Sequence, residues 1–263
     1  MATTIDLGSR HLHGSKGDGV LRVVLDRPER RNACTIEMYH GIKRAAVLAE
    51  RDPEVDVLVI TATGDTFCVG GEMGGQHEGG PALDRETDGL DLLPFVQLER
   101  CPKIVLVGIN GMCQGGGLVM TLMSDISVVS DRATFRVPEL LRGVADCYFG
   151  ARLASRVGMA HAKYLLFTAQ YFSAAEALAM GLVARVVPHD ALGAAVEETI
   201  GWIRQTAPRA RTLLKRDLNR QLPPLDLPMF AESLASAEVR EGFQAFVEKR
   251  PPAWAPRRGV DSK

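Results

Sequence analysis

The stretch Ile104–Asp125, IVLVGINGMCQGGGLVMTLMSD, most constrains the fold of this chain because it joins a buried strand to a buried helix through glycines. Its opening residues are apolar and largely β-branched, which predicts a strand covered on both faces. Asn110 and Gly111 end that strand. After three consecutive glycines, Gly115 to Gly117, the apolar residues are too dense for a solvent-exposed helix and predict a buried one.

The glycines lie where this helix begins, and that position predicts a site for one anionic oxygen. The first amide N–H groups of a helix lack intrahelical partners, and glycine has no Cβ to keep a ligand oxygen away. A Walker phosphate loop needs Lys and Ser/Thr where this chain has Leu118 and Val119, and a dinucleotide-binding turn needs the spacing G-x-G-x-x-G. Both nucleotide sites are therefore excluded. The alternative is that the glycines only allow close packing of helix on strand.

The composition predicts a globular protein with a small partner. Of the 263 residues, 46% are hydrophobic, and 31 Lys and Arg against 32 Asp and Glu leave a net charge of -1. Such a balance gives no reason to expect nucleic acid or an acidic membrane as partner. The chain lacks both an apolar run of the ~20 residues that span a bilayer and the apolar segment of a signal peptide, so we expect a cytosolic protein. The five cysteines lack metal-binding spacings, which predicts reduced thiols and no metal.

A second predicted strand, Val55–Thr61, also leads to glycines, in the sequence FCVGGEM at 67–73. Before it we expect a loose segment over residues 1–19, a strand over Val20–Leu25 and a helix over Thr35–Glu50 that Thr35 caps.

Beyond Tyr148 the pattern is mainly helical, and no linker divides the chain. We predict a core over residues 1–200 and a helical region over residues 201–263 without an independent domain boundary. The predicted helices include Tyr148–Val157, Ala160–Thr168 and Ser173–Met180, the last with a capping box at Ser173 and Glu176.

The pair of strand-to-glycine turns, FCVGGEM and GINGMCQGGGLVM, resembles the crotonase superfamily, which contains the enoyl-CoA hydratases and isomerases. The resemblance covers nearly the whole chain and implies an α/β spiral of ββα units with C-terminal helices that build a homotrimer or a hexamer. The shared motifs are Leu25-Asp26-Arg27-Pro28, Asn32-Ala33, Ser124-Asp125-Ile126, Val137-Pro138-Glu139, Glu176-Ala177, Gly181-Leu182-Val183, Glu241-Gly242-Phe243 and residues 245–250.

Carried over by position, the resemblance places two oxyanion donors on the backbone amides of Gly71 and Gly116. It implies an acyl-CoA thioester as the substrate and no further cofactor. When a proton beside the thioester is removed, negative charge develops on the thioester oxygen. Preorganised N–H groups stabilise that enolate, and one such donor is typically worth about 100 to 1,000 fold in rate.

The resemblance also implies contacts to coenzyme A after the first glycine turn, before the first helix and near the C-terminus. For the two arginines in this set, a plain surface role is the alternative. The implied contacts are Arg30, Arg31, Ala33, Val69, Met73, Gly74, Phe246 and Lys249.

The chain departs from the hydratases of this family at Val119, which stands where they carry the first of two catalytic glutamates. An aliphatic side chain neither orients a water nor exchanges a proton, so the usual hydratase chemistry is not expected. The second glutamate is present as Glu139, and a single glutamate is the arrangement of the family's Δ3,Δ2-enoyl-CoA isomerases. The alternative for Glu139 is an ordinary ion pair with Arg136 or Arg142.

The segment Asp146-Cys147-Tyr148-Phe149 stands where hydratases carry a proline and glycines along the acyl pocket. Asp146 is a candidate acid/base or nucleophile, and Tyr148 is a candidate proton donor to the substrate. Cys147 is expected to be a small buried filler, with a reactive thiol as the alternative. Asp146 is also a candidate cap for the helix that follows.

Three functions therefore stay open. The first is an acyl-CoA isomerase or a related enolate-forming enzyme with Glu139 as the base. The second is another crotonase reaction, a hydrolysis, a decarboxylation or a slow hydration, that relies on Asp146. The third is a non-catalytic acyl-CoA binder, and the presence of Glu139 beside a further polar group argues against it.

Overall fold

In the computed structural model, which describes residues 2–72 and 93–256, the strands form one sheet of seven strands and one of four. The strands are β1 Thr3–Ile5, β2 Leu12–Gly17, β3 Val20–Leu25, β4 Val57–Ala62, β5 Thr66–Cys68, β6 Ile104–Ile109, β7 Met112–Gln114, β8 Ile126–Ser130, β9 Thr134–Arg136, β10 Phe172–Ser173 and β11 Arg185–Val187. The helices are α1 Ile36–Arg51, α2 Phe95–Arg100, α3 Gly116–Leu122, α4 Cys147–Thr168, α5 Ala174–Ala179, α6 Leu192–Arg204, α7 Pro208–Asn219, α8 Leu227–Ala235 and α9 Ala237–Val247. The predicted α/β architecture is confirmed.

The larger sheet has the order β1-β2-β3-β4-β6-β8-β11, and the smaller sheet has the order β10-β9-β7-β5. In the larger sheet β1 to β3 are antiparallel, and every neighbouring pair from β3 to β11 is parallel. In the smaller sheet β5 and β7 are parallel neighbours, with Cys68 opposite Cys113. Because both strands run in the same direction, the two glycine segments that follow them leave the sheet side by side.

Alternate residues of the central strands enter two separate apolar layers, which is why these strands read as continuous hydrophobic runs. Leu58 and Ile60 of β4 pack in the same cluster as Ile42 of α1. Val59, on the opposite face of β4, packs in a second cluster with Ile200 of α6. Burying one such side chain contributes about 1.5 to 3 kcal/mol relative to leaving it exposed.

Residues 2–19 are not the loose segment that we expected, because they contain β1 and β2 at the edge of the larger sheet. A two-residue turn, Asp18-Gly19, joins β2 to β3 in register, with Gly17 opposite Val20. Both turn residues have positive φ, 48° and 72°. This is the geometry that an Asp-Gly hairpin turn favours, and it fixes the pairing despite the polar composition of β2.

The predicted helix caps are confirmed. The Thr35 hydroxyl accepts a hydrogen bond from the Met38 N–H at 3.1 Å at the start of α1. Ser173 and Glu176 form the expected capping box of α5. Helix α4 spans both of the helices predicted in that region, and a non-helical residue, Gly158, with φ 74° and ψ 160°, breaks it where they were expected to separate. None of the helices in the described ranges has the length and apolar character that crossing a bilayer requires.

Candidate active site

After β5 the chain pairs with Cys34 through Gly70 and Glu72, and Gly71 lies between these two residues. The Cys34 N–H donates to the Gly70 carbonyl at 2.8 Å, and the Glu72 N–H donates to the Cys34 carbonyl at 2.8 Å. Successive residues of an extended segment point their N–H groups to alternate sides. The Gly71 N–H therefore points away from Cys34 and takes no part in this bridge.

The three glycines at the start of α3 are each required for a different reason. Gly115 has φ 53°, and a methyl group there would lie 3.2 Å from the Glu139 Oε1 atom. A methyl group at Gly116 would overlap the Tyr39 hydroxyl, and one at Gly117 would overlap the Cys68 carbonyl. The close-packing interpretation therefore applies to Gly117. Close packing against Tyr39 also explains Gly116, whose N–H, at the first residue of α3, is one of the helix-start donors that an oxyanion site needs.

The two glycine turns touch each other. A methyl group at Gly70 would lie 3.1 Å from the Gly116 nitrogen and 3.5 Å from the Gly115 Cα atom. The two predicted oxyanion donors, Gly71 and Gly116, consequently lie on adjoining backbone segments. Two amides can reach a single oxygen atom only if they lie this close together along the chain surface, so the contact is consistent with the predicted pair.

Glu139 opens a short 3₁₀ helix, Glu139–Arg142, and places its carboxyl group against the Gly115 turn. Its Oε2 atom is buried and has no hydrogen-bond partner within the described part of the chain. Burial, followed by the charge of Asp146, raises the pKa of Glu139 to about 8. The carboxyl group is thus poised to exchange a proton close to neutral pH.

The alternative interpretation of Glu139 as a surface ion pair does not fit this geometry. Across residues 2–72 and 93–256 Glu139 forms no ion pair with either neighbouring arginine. The Arg136 Nε atom donates to the Ala169 carbonyl at 2.7 Å. The Arg142 guanidinium instead lies 4.1 Å from the centre of the Phe246 ring.

Asp146 caps helix α4, as one of the two interpretations of this residue predicted. Its Oδ1 atom accepts hydrogen bonds from the Tyr148 N–H at 2.7 Å and the Phe149 N–H at 3.1 Å. Burial raises the pKa of Asp146 to about 6, although these two amides act to lower it. The capping role leaves the charge of this carboxyl group beside Glu139, and a catalytic role for Asp146 stays a prediction.

An aromatic group borders Gly116 on the side of α1, α2 and α4. Phe95 lies edge-on to Tyr39 with ring centres 5.7 Å apart, and edge-on to Tyr148 at 5.0 Å. Its Cζ atom would lie 3.4 Å from a methyl group at Gly116. Tyr148, predicted to touch substrate, is buried against Phe95, and the Phe95 ring lies between it and Gly116. Val119 is buried one turn into α3, where it presents no polar group.

The predicted coenzyme A contacts before the first helix lie on an exposed loop. Arg30 and Arg31 are exposed, and the backbone of Arg31 is left-handed with φ 53°. Ala33 and Val69 are partly buried, and the Val69 carbonyl would lie 3.3 Å from a methyl group at Gly115. Met73 and Gly74 lie outside the described residues.

The two predicted C-terminal contacts differ in their relation to the site. Phe246 lies under the Arg142 guanidinium, which joins it to the short helix that carries Glu139. Lys249 is exposed just beyond α9. Within the described residues no contact connects Lys249 to either glycine turn.

Two features of the site were not predicted from the sequence. Arg27 and Glu72 form a two-pronged ion pair, with the Nη1 atom 2.9 Å from Oε2 and the Nη2 atom 3.0 Å from Oε1. The Arg27 Nη1 atom also donates to the Ala33 carbonyl at 3.1 Å. Both residues belong to motifs that the sequence analysis quoted, but their pairing is a long-range contact. The second feature is Tyr39, which resembled an ordinary core residue of α1.

Comparison with known proteins shows which family this chain is similar to. The sequence profile of the enoyl-CoA hydratase/isomerase family matches residues 15–257. The chain is 32% identical over 250 residues to the mevalonyl-coenzyme A hydratase sidH of Aspergillus fumigatus, covering 90% of this chain and 92% of that protein. A crystal structure of an enoyl-CoA hydratase/isomerase from Pseudoalteromonas atlantica T6c is 29% identical, with a TM-score of 0.79 and coverage of 94% of this chain and 100% of that one. A carnitinyl-CoA hydratase from Mycobacterium avium is 27% identical, with a TM-score of 0.82 and coverage of 95% and 100%. The chain therefore belongs to the enoyl-CoA hydratase/isomerase family and has the crotonase fold.

Proposed function

We propose that this chain is an acyl-CoA enzyme in which Glu139 moves a proton on the carbon beside the thioester. The Gly71 and Gly116 amides hold the thioester oxygen during this step. The observation that carries the proposal is the position of the Glu139 carboxyl group, which lies against Gly115 with one buried and unpaired oxygen. A carboxyl group with a pKa of about 8 can both take and return a proton near neutral pH.

The reaction that these residues support best is movement of a double bond from a 3-enoyl to a 2-enoyl thioester. Ionised Glu139 takes a proton from C2, and the electrons of the broken C–H bond pass into the enolate, whose oxygen lies between Gly71 and Gly116. Glu139 then gives the same proton to C4, and the double bond forms between C2 and C3. Only one acid/base group is needed, which is consistent with the aliphatic Val119 in α3.

A second candidate reaction is the addition or removal of water with Asp146 as the partner of Glu139. Two observations favour it: the charge of Asp146 helps to raise the pKa of Glu139, and the pKa values of about 6 and about 8 assign the two carboxyl groups to different protonation states near pH 7. Ionised Asp146 would take a proton from water as its oxygen bonds to C3, and protonated Glu139 would give its proton to C2. The relatives named as mevalonyl-coenzyme A and carnitinyl-CoA hydratases support this candidate.

Assays on thioesters of one chain length separate these reactions. We expect the purified protein to convert 3-enoyl-CoA, and to hydrate 2-enoyl-CoA about 100 to 10,000 fold more slowly than a hydratase with both glutamates, because one acid/base group is missing. A malonyl-type thioester and a saturated acyl-CoA in the same series test decarboxylation and hydrolysis. A protein that binds these thioesters in calorimetry and converts none of them would be a binding protein, which contradicts the proposal.

Two variants assign the base. Glu139→Gln keeps the shape and removes the base, so we expect it to lower isomerisation by about 100 to 10,000 fold. Asp146→Asn keeps a cap for α4, and we expect it to retain isomerisation within about tenfold. If Asp146→Asn abolishes turnover while Glu139→Gln retains it, the reaction centred on Asp146 replaces the isomerisation.

A further inference from the structure

Tyr39 lies beside both predicted oxyanion donors, although its position on α1 marks it only as a core residue. Its hydroxyl oxygen would lie 3.5 Å from a methyl group at Gly71 and would overlap a methyl group at Gly116. The phenol oxygen is therefore within a few ångström of the backbone of both glycine turns. It reaches them from α1, an element that supplies neither turn.

The Tyr39 ring is held firmly in this position. The residue is only 7% exposed, and it packs in the main core cluster. The Phe95 ring lies edge-on against it, with the planes at 75°. A group that is already oriented before substrate binds loses little freedom when it contacts the reacting atoms.

The Tyr39 hydroxyl lacks a partner of its own in the described part of the chain, where it takes part in no hydrogen bond. Hydroxyls of buried tyrosines are normally paired, so one that faces two glycine turns without a protein partner is available to hydrogen-bond a ligand there. Burial, followed by the nearby thiols and carboxyl groups, raises the pKa of this phenol well above its ordinary value. The hydroxyl consequently keeps its proton and can donate it in a hydrogen bond.

We propose that the Tyr39 hydroxyl donates a third hydrogen bond to the thioester oxygen, beside the amides of Gly71 and Gly116. This inference rests on the proposed function, because it names a further group that contacts the enolate. A hydrogen bond from a neutral hydroxyl to an oxygen that is becoming negative strengthens as the charge grows. It therefore stabilises the enolate more than the bound substrate, and its loss lowers turnover more than affinity.

Hydrogen exchange at C2 of butyryl-CoA in heavy water tests this assignment, since it reports enolate formation whichever overall reaction the enzyme catalyses. Tyr39→Phe removes one oxygen atom and keeps the ring. We expect it to lower the kcat of exchange by about 100 fold, the lower end of the range for one oxyanion donor, with KM changed by less than about threefold. Tyr164→Phe, at an α4 position that is 59% exposed, is the matched control, and we expect it to exchange at the wild-type rate.

A spectroscopic measurement separates hydrogen bonding from packing. The carbonyl stretching frequency of butyryl-CoA labelled with carbon-13 at the thioester falls as hydrogen bonds to its oxygen are added. We expect this frequency to be higher when the ligand is bound to Tyr39→Phe than when it is bound to the wild type or to Tyr164→Phe. An unchanged frequency together with a wild-type exchange rate, or a loss that appears only in KM, would overturn the assignment of Tyr39.

The same exchange assay distinguishes failure of this inference from failure of the proposed function. If Glu139→Gln exchanges as fast as the wild type, the proposed base is wrong, while a slow Tyr39→Phe still supports the third donor. If Tyr39→Phe alone keeps the wild-type rate, only the third donor is wrong. If the wild type binds no acyl-CoA, both are wrong.

Discussion

The Asp146 carboxyl group lies close enough to Glu139 for its charge to add to the effect of burial and bring the pKa of Glu139 to about 8. Two amide N–H groups at the start of α4 hold Asp146 in place. The cap of one helix therefore tunes the acidity of a residue on a different element.

This relationship predicts the pH dependence of isomerisation. Because the base must be ionised, kcat/KM should rise with pH and level off above about pH 8. Asp146→Asn removes a negative charge that raises the pKa of Glu139, so the rising limb should move to lower pH. A pH profile of both proteins in one buffer series makes the comparison. A limb that moves to higher pH, or a rate that falls through pH 8 in the wild type, would contradict Glu139 acting as an ionised base.

Glu139 should also make stability depend on pH. Its pKa is about 8 when folded and near the ordinary 4.5 when unfolded, so the folded state binds more protons between these values. The resulting stability is fully present below the unfolded pKa and is lost as the pH rises through about 8. We expect the Tm of Glu139→Gln to exceed that of the wild type by roughly 10 °C at about pH 9 and by much less at about pH 5, at ~1.4 kcal/mol per pKa unit and ~2–4 °C per kcal/mol. Calorimetric scans at both pH values check this, and a constant difference would count against a buried, unpaired carboxyl group.

The overlap between Tyr39 and any side chain at Gly116 predicts a compensating pair. Gly116→Ala places its methyl group on the Tyr39 hydroxyl. In Gly116→Ala/Tyr39→Phe the hydroxyl is gone, and the nearest atom of the ring at position 39, Cζ, would lie 3.3 Å from the methyl group. We expect the single variant to lose about 1 to 3 kcal/mol of stability through overpacking and the double variant to recover part of it. Activity should stay low in both, because the double variant lacks the hydroxyl. Equal thermal stability of the two variants would contradict the contact.

We expect a homotrimer or a hexamer in solution. The described helices leave large apolar side chains open to solvent, as at Leu214 of α7, 61% exposed, and Val247 just inside the end of α9, 64% exposed. Such residues are commonly covered when copies of a chain associate. Sedimentation velocity at micromolar concentration measures the assembly directly, and a monomer would contradict the expectation.

The central strands could be predicted from the sequence because most of their residues are apolar. Val20–Leu25, in which only Arg22 is charged, and Ile104–Ile109 have the predicted bounds, because strands covered on both faces appear as nearly continuous apolar runs. The hairpin before Val20 was missed because its polar strand lies near the sheet edge and shows no such run. The Asp18-Gly19 dipeptide was the local signal that would have revealed it.

The candidate site was predictable where its residues belong to a local sequence motif. Gly71, Gly116 and Glu139 each belong to a short motif, and the structure places all three around one small space. Tyr39 has no such signal, because its helical spacing is the same whether the hydroxyl meets a ligand or only fills the core. The proposed role of Tyr39 depends on contacts between α1 and two turns that are distant in sequence, so no local sequence motif could predict it.

The ion pair between Arg27 and Glu72 ties the loop of Arg30 and Arg31 to the residue that follows Gly71. If Arg30 and Arg31 bind the nucleotide end of coenzyme A, this ion pair connects their loop to the Gly71 amide that we propose to hold the thioester oxygen. Binding energy gained far from the reacting carbon can therefore be used to set the position of a donor at that carbon. A thioester of pantetheine, which lacks the nucleotide, would then lose turnover as well as affinity, because the nucleotide end would help to position the Gly71 donor as well as to hold the substrate.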